Sequence, residues 1–432
     1  MAVQPPDGAG GERAVRSALD AQRLGAGDDP ASGSGGGGGG EDGGGGGGRD
    51  EADPRRVRPE GFDMGRYRQR LVALHVLYFG EKFQGLAMQK HTEETVEGQL
   101  LVALRKTRLV APDAAPGEVL WARCGRTDKG VSAYDQVVSL KLRSKIPAGA
   151  LEPSREADEI DYPCVLNRFL PDDIRVAGWA PVDDGFSARY SCTGRHYKYF
   201  FVDKRRGGEF DLEAMRAACA HFVGPHDFRN FCQKDVTATH TFCRSVSECF
   251  IEQMDGGGGG LDVFAINVKG KAFLWHQVRC MAAVLFMVGR GQEEPGIVSR
   301  MLDVEAHPGK PHYRMAPEGP LVLFKCNFED LKFIRSPAAR QTVQATVDAQ
   351  LRKHLVQACV WQCFSESLRA EGGADAGGVP IEGEEGPRKK HRKLLERGSG
   401  PTVEQLQEKE RGRGRLPGQQ AAKQAAAAPS TE

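Results

Sequence analysis

Between Tyr67 and Ile334 the apolar residues switch repeatedly between two spacings, every second position and every third or fourth, which restricts the chain to folds that interleave strands with helices. "RLVALHVLYFG", closing on Gly80, is a β-rich apolar run with the look of a buried strand. "TVEGQLLVALRKT" follows, with Thr95 placed to cap a helix and Val96, Leu100, Leu101 and Leu104 on one face. "VLWARCG" is again strand-like. After the next turn, Val138, Leu140 and Leu142 alternate with Ser139, Lys141 and Arg143.

A second unit begins near Leu166. "RHYKYFFV" places Tyr197, Tyr199 and Phe201 on one strand face and His196, Lys198 and Phe200 on the other. "DLEAMRAACAHFVG" is a helix from Asp211 with Gly224 as its stop, and "VFAINVKGKAF" alternates through Phe264, Ile266 and Val268. The five glycines at 256–260 fit a hairpin insertion, and "LWHQVRCMAAVLFMVG" carries Leu274, Val278, Met281, Leu285 and Val288 at helical spacing. Both halves therefore predict a two-layer α/β or α+β arrangement, repeated in two lobes over 66–165 and 166–335.

The flanks differ in kind. Many of the 55 glycines lie in the run from Gly33 to Gly48, so 1–65 is expected to be a disordered arm with too few apolar groups to offset ordering entropy. Its mixed charges, Arg13 and Arg16 beside Asp7 and Glu12, argue against a transit peptide. No apolar run is long enough to cross a bilayer, so a soluble chain without a membrane partner is expected. Eleven scattered cysteines without a C-x-x-C pair predict reduced thiols, a nuclear or cytoplasmic location and no metal site. Residues 336–370 read as a helical extension. The 371–432 segment reads as a basic low-complexity tail, with ten Lys and Arg against four Glu between Arg388 and Arg415. Such a run is a solvated tail, a phosphate contact or an import address.

"CGRTDKGVSAYDQVVSL" sets a carboxylate, Asp128, among Arg126 and Lys129 on a turn at the mouth of a strand. Gly125 and Gly130 have P-loop separation, but that motif requires lysine directly after the second glycine. Here Lys129 precedes Gly130, and the following segment reads as strand, so no helix N-terminus is offered to an anion. Spacing alone leaves two readings of Asp128 open, a functional acid or an ordinary turn former between surface charges.

"GRTDKGVSA" resembles the signature of the TruA-type tRNA pseudouridine synthases, and neighbouring blocks resemble that family in order over most of the central region. "LYFGEKFQGLAMQ" is similar to its opening block, through Tyr78, Gly80, Phe83, Gly85 and Gln89. "LNRFLPDDIRV", "FSARYSCTGRHYKYFF", "GPHDFRNF", "FLWHQVRCMAAVLFMVGRG" and "APEGPLVLFKCNF" continue the match. The forms "KTRLV", "FLWHQVRC" and "GPHDFRNFC" most resemble the eukaryotic branch that modifies uridines 38 and 39 of the tRNA anticodon arm. "HRKLLERGSG" is similar to a later block of that branch.

The resemblance implies an α+β, two-lobed pseudouridine synthase fold, with mixed β-sheets flanked by helices around a central basic cleft. It implies an isomerase that needs no cofactor. Asp128 matches the family's catalytic aspartate, which can attack C1′, stabilise oxocarbenium-like charge or accept the C2′ proton, as glycosidase carboxylates do. Arg279 lies on an apolar helix where an unpaired guanidinium is costly. The family places it beside the aspartate, where a salt bridge would keep the acid charged and hold its rotamer. Tyr197 matches the tyrosine that packs on the target uracil. Arg126 would hold the RNA open around an extruded base. Lys129, Arg123, Arg195 and Lys198 would meet phosphates, with Arg168, Lys204, Arg205 and Arg206 as weaker choices. Ser132 and Cys280 replace the His and Asn of many bacterial relatives. Rivals are a synthase acting on other tRNA, small nuclear RNA or mRNA uridines, and a non-catalytic RNA-binding protein. Neither a monomer nor a dimer is favoured.

Overall fold

The computed structural model describes residues 63–145, 158–205, 207–239, 241–371, 391–413 and 415. The expectations for the arm up to residue 62, for Arg206 and for most of the tail lie outside that set. In chain order the strands and helices are β1 (Gln69–Tyr78), α1 (Val96–Lys106), β2 (Ala122–Arg123), β3 (Ser132–Arg143), α2 (Tyr162–Asn167), β4 (Ile174–Pro181), β5 (Cys192–Lys204), α3 (Leu212–Ala220), β6 (Gly224–Asp227), β7 (Cys243–Met254), β8 (Leu261–Gly270), α4 (Gln277–Gly289), α5 (Ile297–Leu302), β9 (Leu321–Phe328), α6 (Pro337–Ala370) and α7 (Val403–Gly412). The outcome is a mixed sheet of nine strands with flanking helices, an α+β arrangement.

The strands run in the order β4-β1-β3-β9-β5-β8-β7-β6, with β2 on β3. Two antiparallel groups meet where β3 and β9 pair in parallel, through Ser132 with Val322 and Ala133 with Leu323. On the far side of β9, Leu323 and Val322 face Tyr197 and Lys198 of β5. The sequence boundary at 165/166 does not coincide with this seam, because β4 returns to pair with β1. With β3 and β4 on its two edges, β1 is buried from Leu71 to Tyr78 on both faces, which explains its uninterrupted apolar run.

Local chemistry starts the helices. The Thr95 hydroxyl accepts from the Gly98 N–H at the cap expected from sequence, and the Asp211 carboxylate accepts from that of Ala214, capping the helix read as running from Asp211. The second of these helices stops at Ala220. Gly224, expected to end it, instead opens β6 at φ +113°, a conformation that favours glycine. The inward sides of α3 and α4 bury Met215, Cys219, Met281 and Leu285. The glycines at 256–260 form the turn between β7 and β8, as their spacing predicts.

Part of the basic tail is folded. Leu394 is fully buried and its N–H donates to Glu293, which also pairs with His391 at 2.9 Å. Arg229 pairs with Glu404 at 3.0 Å, Lys234 donates to the Pro401 carbonyl, and Thr402 with Gln405 forms a capping box at the start of α7. The charges of 391–413 concealed an apolar minority that packs on the body. Truncating Leu394 to Ala is expected to weaken this strap by about 2–5 kcal/mol. Limited proteolysis would register it as faster tryptic cleavage after Lys393 and Arg397.

Candidate active site

The segment 124–131 leaves β2 and enters β3 as a loop whose backbone is tied at almost every residue. The Cys124 N–H donates to the Val137 carbonyl at 2.8 Å, and the Cys124 carbonyl accepts from Arg195 Nη2 at 2.5 Å. Gln136, fully buried, clamps Gly125 from both sides: its amide nitrogen donates to the Gly125 carbonyl and its oxygen accepts from the Gly125 N–H. Thr127 shares a 2.7 Å hydrogen bond with the Tyr78 hydroxyl, and its carbonyl accepts from Leu86 N–H. The Gly130 N–H reaches the Phe83 carbonyl, and the Gly80 N–H reaches the Ser132 hydroxyl.

Two glycines of the "LYFGEKFQG" block are required by close approach. A Cβ on Gly80 would lie 2.1 Å from the Val131 carbonyl oxygen, inside any allowed contact. Gly85, at φ +100°, would place one 3.1 Å from the Thr127 carbonyl oxygen. The block is therefore a floor against which the turn is pressed.

From this loop Asp128 extends a side chain that is 27% exposed. Its Oδ2 lies 3.4 Å from His276 Nε2 and 3.9 Å from Arg279 Nη1. Arg279, on the first turn of α4, is buried and makes shorter contacts elsewhere: Nη2 with Glu318 at 2.6 Å and Nε with the Ala316 carbonyl at 2.8 Å. The Ala316 N–H returns to the Arg279 carbonyl. Arg279, expected from sequence to pair with the aspartate, stands 3.9 Å from it, and its tight ion pair is with Glu318. Gly130 makes room for that residue, since a Cβ there would sit 2.7 Å from Glu318 Cγ. Tyr197 stands edge-on to Phe273 at 5.2 Å between centroids, and its hydroxyl would lie 3.8 Å from a Cβ on Gly125, so it abuts the same loop. Burial pushes its phenol pKa up, keeping the proton on.

His276 was not foreseen as part of this cluster. It precedes α4 in the left-handed region, φ 62° and ψ 10°, where a non-glycine residue is strained. Its Nδ1 is buried without a hydrogen-bond partner among the described residues, while Nε2 faces Asp128. Burial is the main influence lowering its pKa, with Arg279 and Lys310 adding to the effect and Asp128 and Glu318 opposing it. Gln136 and Glu97 were missed too, although each carries a signal. Gln136 has the parity of Val138 and Leu140, and Glu97 lies on the inward side of α1 with Leu100, Leu101 and Leu104.

Arg126 and Lys129 are exposed beside Asp128, open to solvent on the loop. Three other cations read from sequence as phosphate contacts have internal partners. Arg123 donates to the buried carboxylate of Glu97, which also accepts from Trp121 Nε1 and Met88 N–H. Lys198 alternates to the sheet face opposite Tyr197, where it pairs with Glu252 at 2.9 Å and lies 4.7 Å from the Phe324 ring centroid. Arg195 grips the carbonyls of Cys124 and Lys271, so it anchors the loop. Of the weaker choices, Arg205 pairs with Asp262 at 3.0 Å. Among the described residues there is no group of three or more His, Cys, Asp or Glu that could hold a metal, and no helix long and apolar enough to cross a membrane.

A family profile described as tRNA pseudouridine synthase matches residues 218–329. The tRNA pseudouridine(38/39) synthase of Homo sapiens is 43% identical over 295 residues, 65% of this chain and 60% of that protein. The protein of the same name from Saccharomyces cerevisiae is 41% identical, over 63% of this chain and 61% of its own length. The tRNA pseudouridine synthase A of Methanoculleus marisnigri is 36% identical, and the match takes in 60% of this chain and 82% of the archaeal one. The chain belongs to the tRNA pseudouridine synthase family. It spans about 60% of the length of the human and yeast relatives it matches.

The lowered histidines give this family member a pH-dependent stability. His196, like His276, is held below the usual histidine range chiefly by burial, with Lys269 and Lys198 adding to it against the hydrogen bond that its Nε2 donates to Asn267 Oδ1. The unfolded chain takes up these protons near pH 6.5, the folded protein only below that. The unfolded state thus binds more protons in the interval, and stability present above about pH 6.5 is lost as pH falls beneath it. Urea midpoints should be level above neutrality and decline on acidification. His276→Gln is expected to flatten part of that slope.

Proposed function

We propose that the protein isomerises uridine to pseudouridine in tRNA, at positions 38 and 39 of the anticodon arm. The observation that carries this reading is Asp128, partly exposed on a rigid loop where the two groups of strands meet, with Arg279, His276 and Tyr197 around it. The names of the human and yeast relatives favour the two positions.

In such a reaction the N1–C1′ bond breaks, the uracil turns, C5 bonds to C1′, the C5 proton leaves and N1 is protonated. The balance closes within the nucleotide and solvent, so no oxidant, nucleotide triphosphate or metal is called for. As the glycosidic bond opens, positive charge grows at C1′. Asp128 and Glu318 place two carboxylates around the single guanidinium of Arg279, a balance suited to that charge. Asp128 is the group to meet C1′, as nucleophile, as electrostatic partner or as acceptor of the C2′ proton. Tyr197, protonated and edge-packed on Phe273, offers a face for the turned uracil and a hydroxyl at the loop. The exposure of Arg126 and Lys129 on either side supports roles for them at the gap left by the extruded nucleotide and at its phosphates.

The decisive measurement uses tRNA tritiated at uracil C5. Wild type should release tritium, with modification mapped to positions 38 and 39, whereas Asp128→Asn should release none and still retain the tRNA. Tritium release by Asp128→Asn would refute the catalytic assignment, and release from other positions alone would move the substrate. Arg279→Ala leaves Glu318 and Asp128 without their guanidinium. It should abolish release and lower stability by about 3–5 kcal/mol, seen as a lower urea midpoint at unchanged slope.

A further inference from the structure

Trp179 is buried, and Trp121 is half-buried with its indole N–H donating to Glu97. Trp275 is placed otherwise. Its side chain is 52% exposed, and its indole N–H meets no acceptor among the described residues. This is not the exposure of a loose loop. The Trp275 carbonyl accepts from the Gln233 N–H at 2.9 Å, the buried Leu274 donates its N–H to Gln277 Oε1 at 2.8 Å, and Arg195 holds the Lys271 carbonyl. His276 follows in the left-handed conformation that opens α4. Phe273 packs on Tyr197, Leu274 on the core, and His276 faces Asp128, so the indole alone is turned out. Its ring centroid lies 4.6 Å from that of His276, whose Nε2 is 3.4 Å from Asp128 Oδ2. A large aromatic face is thus held in water, on a tied backbone, one residue from the acid's neighbour.

We propose that Trp275 is the stacking platform for the nucleobase adjoining the uridine that enters the site. The inference rests on the tRNA reading above and adds to it a contact with a second nucleotide. Swinging one base out of a stack uncovers the π-face of its neighbour, and an aromatic side chain can restore the lost stacking. Tyr197 is not available for that face, being buried edge-on against Phe273. Arg126 and Lys129 are exposed beside Asp128, but a cation grips phosphate whether or not the bases are paired. An indole face makes the complementary demand, a base freed on one side, and so favours a loop or its edge over continuous duplex. A protein partner fits less well, because a polypeptide docked on Trp275 would close the approach to Asp128.

A base stacked on an indole quenches its emission. Saturating tRNA should therefore dim the tryptophan fluorescence of wild type, and equally that of Trp361→Phe, which removes the exposed indole of α6. Trp275→Phe, saturated with tRNA, should lose that quench. In the tritium-release assay Trp275→Ala should raise KM about tenfold, equivalent to about 1.4 kcal/mol and within the range for one stacked base, and Trp275→Phe should recover most of it. Stacking neutralises no phosphate. The slope of log affinity against log salt should thus be unchanged in Trp275→Ala, whereas Lys129→Ala should make it shallower by about one. A quench that survives Trp275→Phe, or a salt slope that falls with the indole, would overturn the inference while leaving the isomerase reading intact. An unchanged KM in Trp275→Ala would do the same and give the indole to a partner other than RNA. A wild type that releases no tritium, yet is quenched by tRNA through Trp275, would support the stacking role and sink the isomerase reading instead.

Discussion

Ser132 with Val322 and Ala133 with Leu323 are the two residue pairs through which the antiparallel groups of strands meet. The loop carrying Asp128 ends at Ser132, and Tyr197 lies across β9 from the same ladder. Parallel pairing there needs a long connection, and residues 144–320, 177 in all, separate β3 from β9. Tyr197 and Arg279, which lie between them in sequence, are thereby brought back to one seam. Just before β9, Ala316 holds Arg279 through two hydrogen bonds and Glu318 takes its guanidinium. One strand insertion thus delivers the acid, the aromatic face and the cation to a common place.

Much of this was legible because burial imposes a period. The strands at β1, β3 and β5 and the helices α1 and α4 announced themselves by spacing, and Thr95 by capping chemistry. The insertion of β9 between β3 and β5 was not legible, since no local pattern records which remote strand an edge will accept. Charge was the least readable property. Arg123 and Lys198 look like free cations in one dimension, but their partners Glu97 and Glu252 are supplied by other elements across the fold. The strap at 391–413 misled in the same way, its cations outnumbering the few apolar residues that dock it.

Residues that break a pattern were more informative than those that keep it. Gln136 and Glu97 occupy positions whose parity or helical phase is apolar, and a buried polar group must find partners or destabilise the fold. Both hold backbone: Gln136 holds Gly125, and Glu97 holds Met88 with Trp121 and Arg123. His276 breaks a rule of a different kind, a left-handed conformation at a residue other than glycine. That strain turns Nε2 toward Asp128 at the point where α4 begins.

The manner in which Asp128 is held bears on what it can do. The imidazole of His276 and the guanidinium of Arg279 stand 3.4 and 3.9 Å away, while Arg279 spends its shortest contacts on Glu318 and Ala316. Position is supplied instead by the backbone, through the bonds to Cys124, Gly125, Thr127 and Gly130 and the approach of Gly80 and Gly85. A carboxylate saturated by short hydrogen bonds is stabilised as an anion and is correspondingly poor at attacking carbon or taking a proton. Fixing the main chain while leaving the oxygens lightly engaged secures orientation without that loss, the condition that a group meeting an anomeric carbon requires.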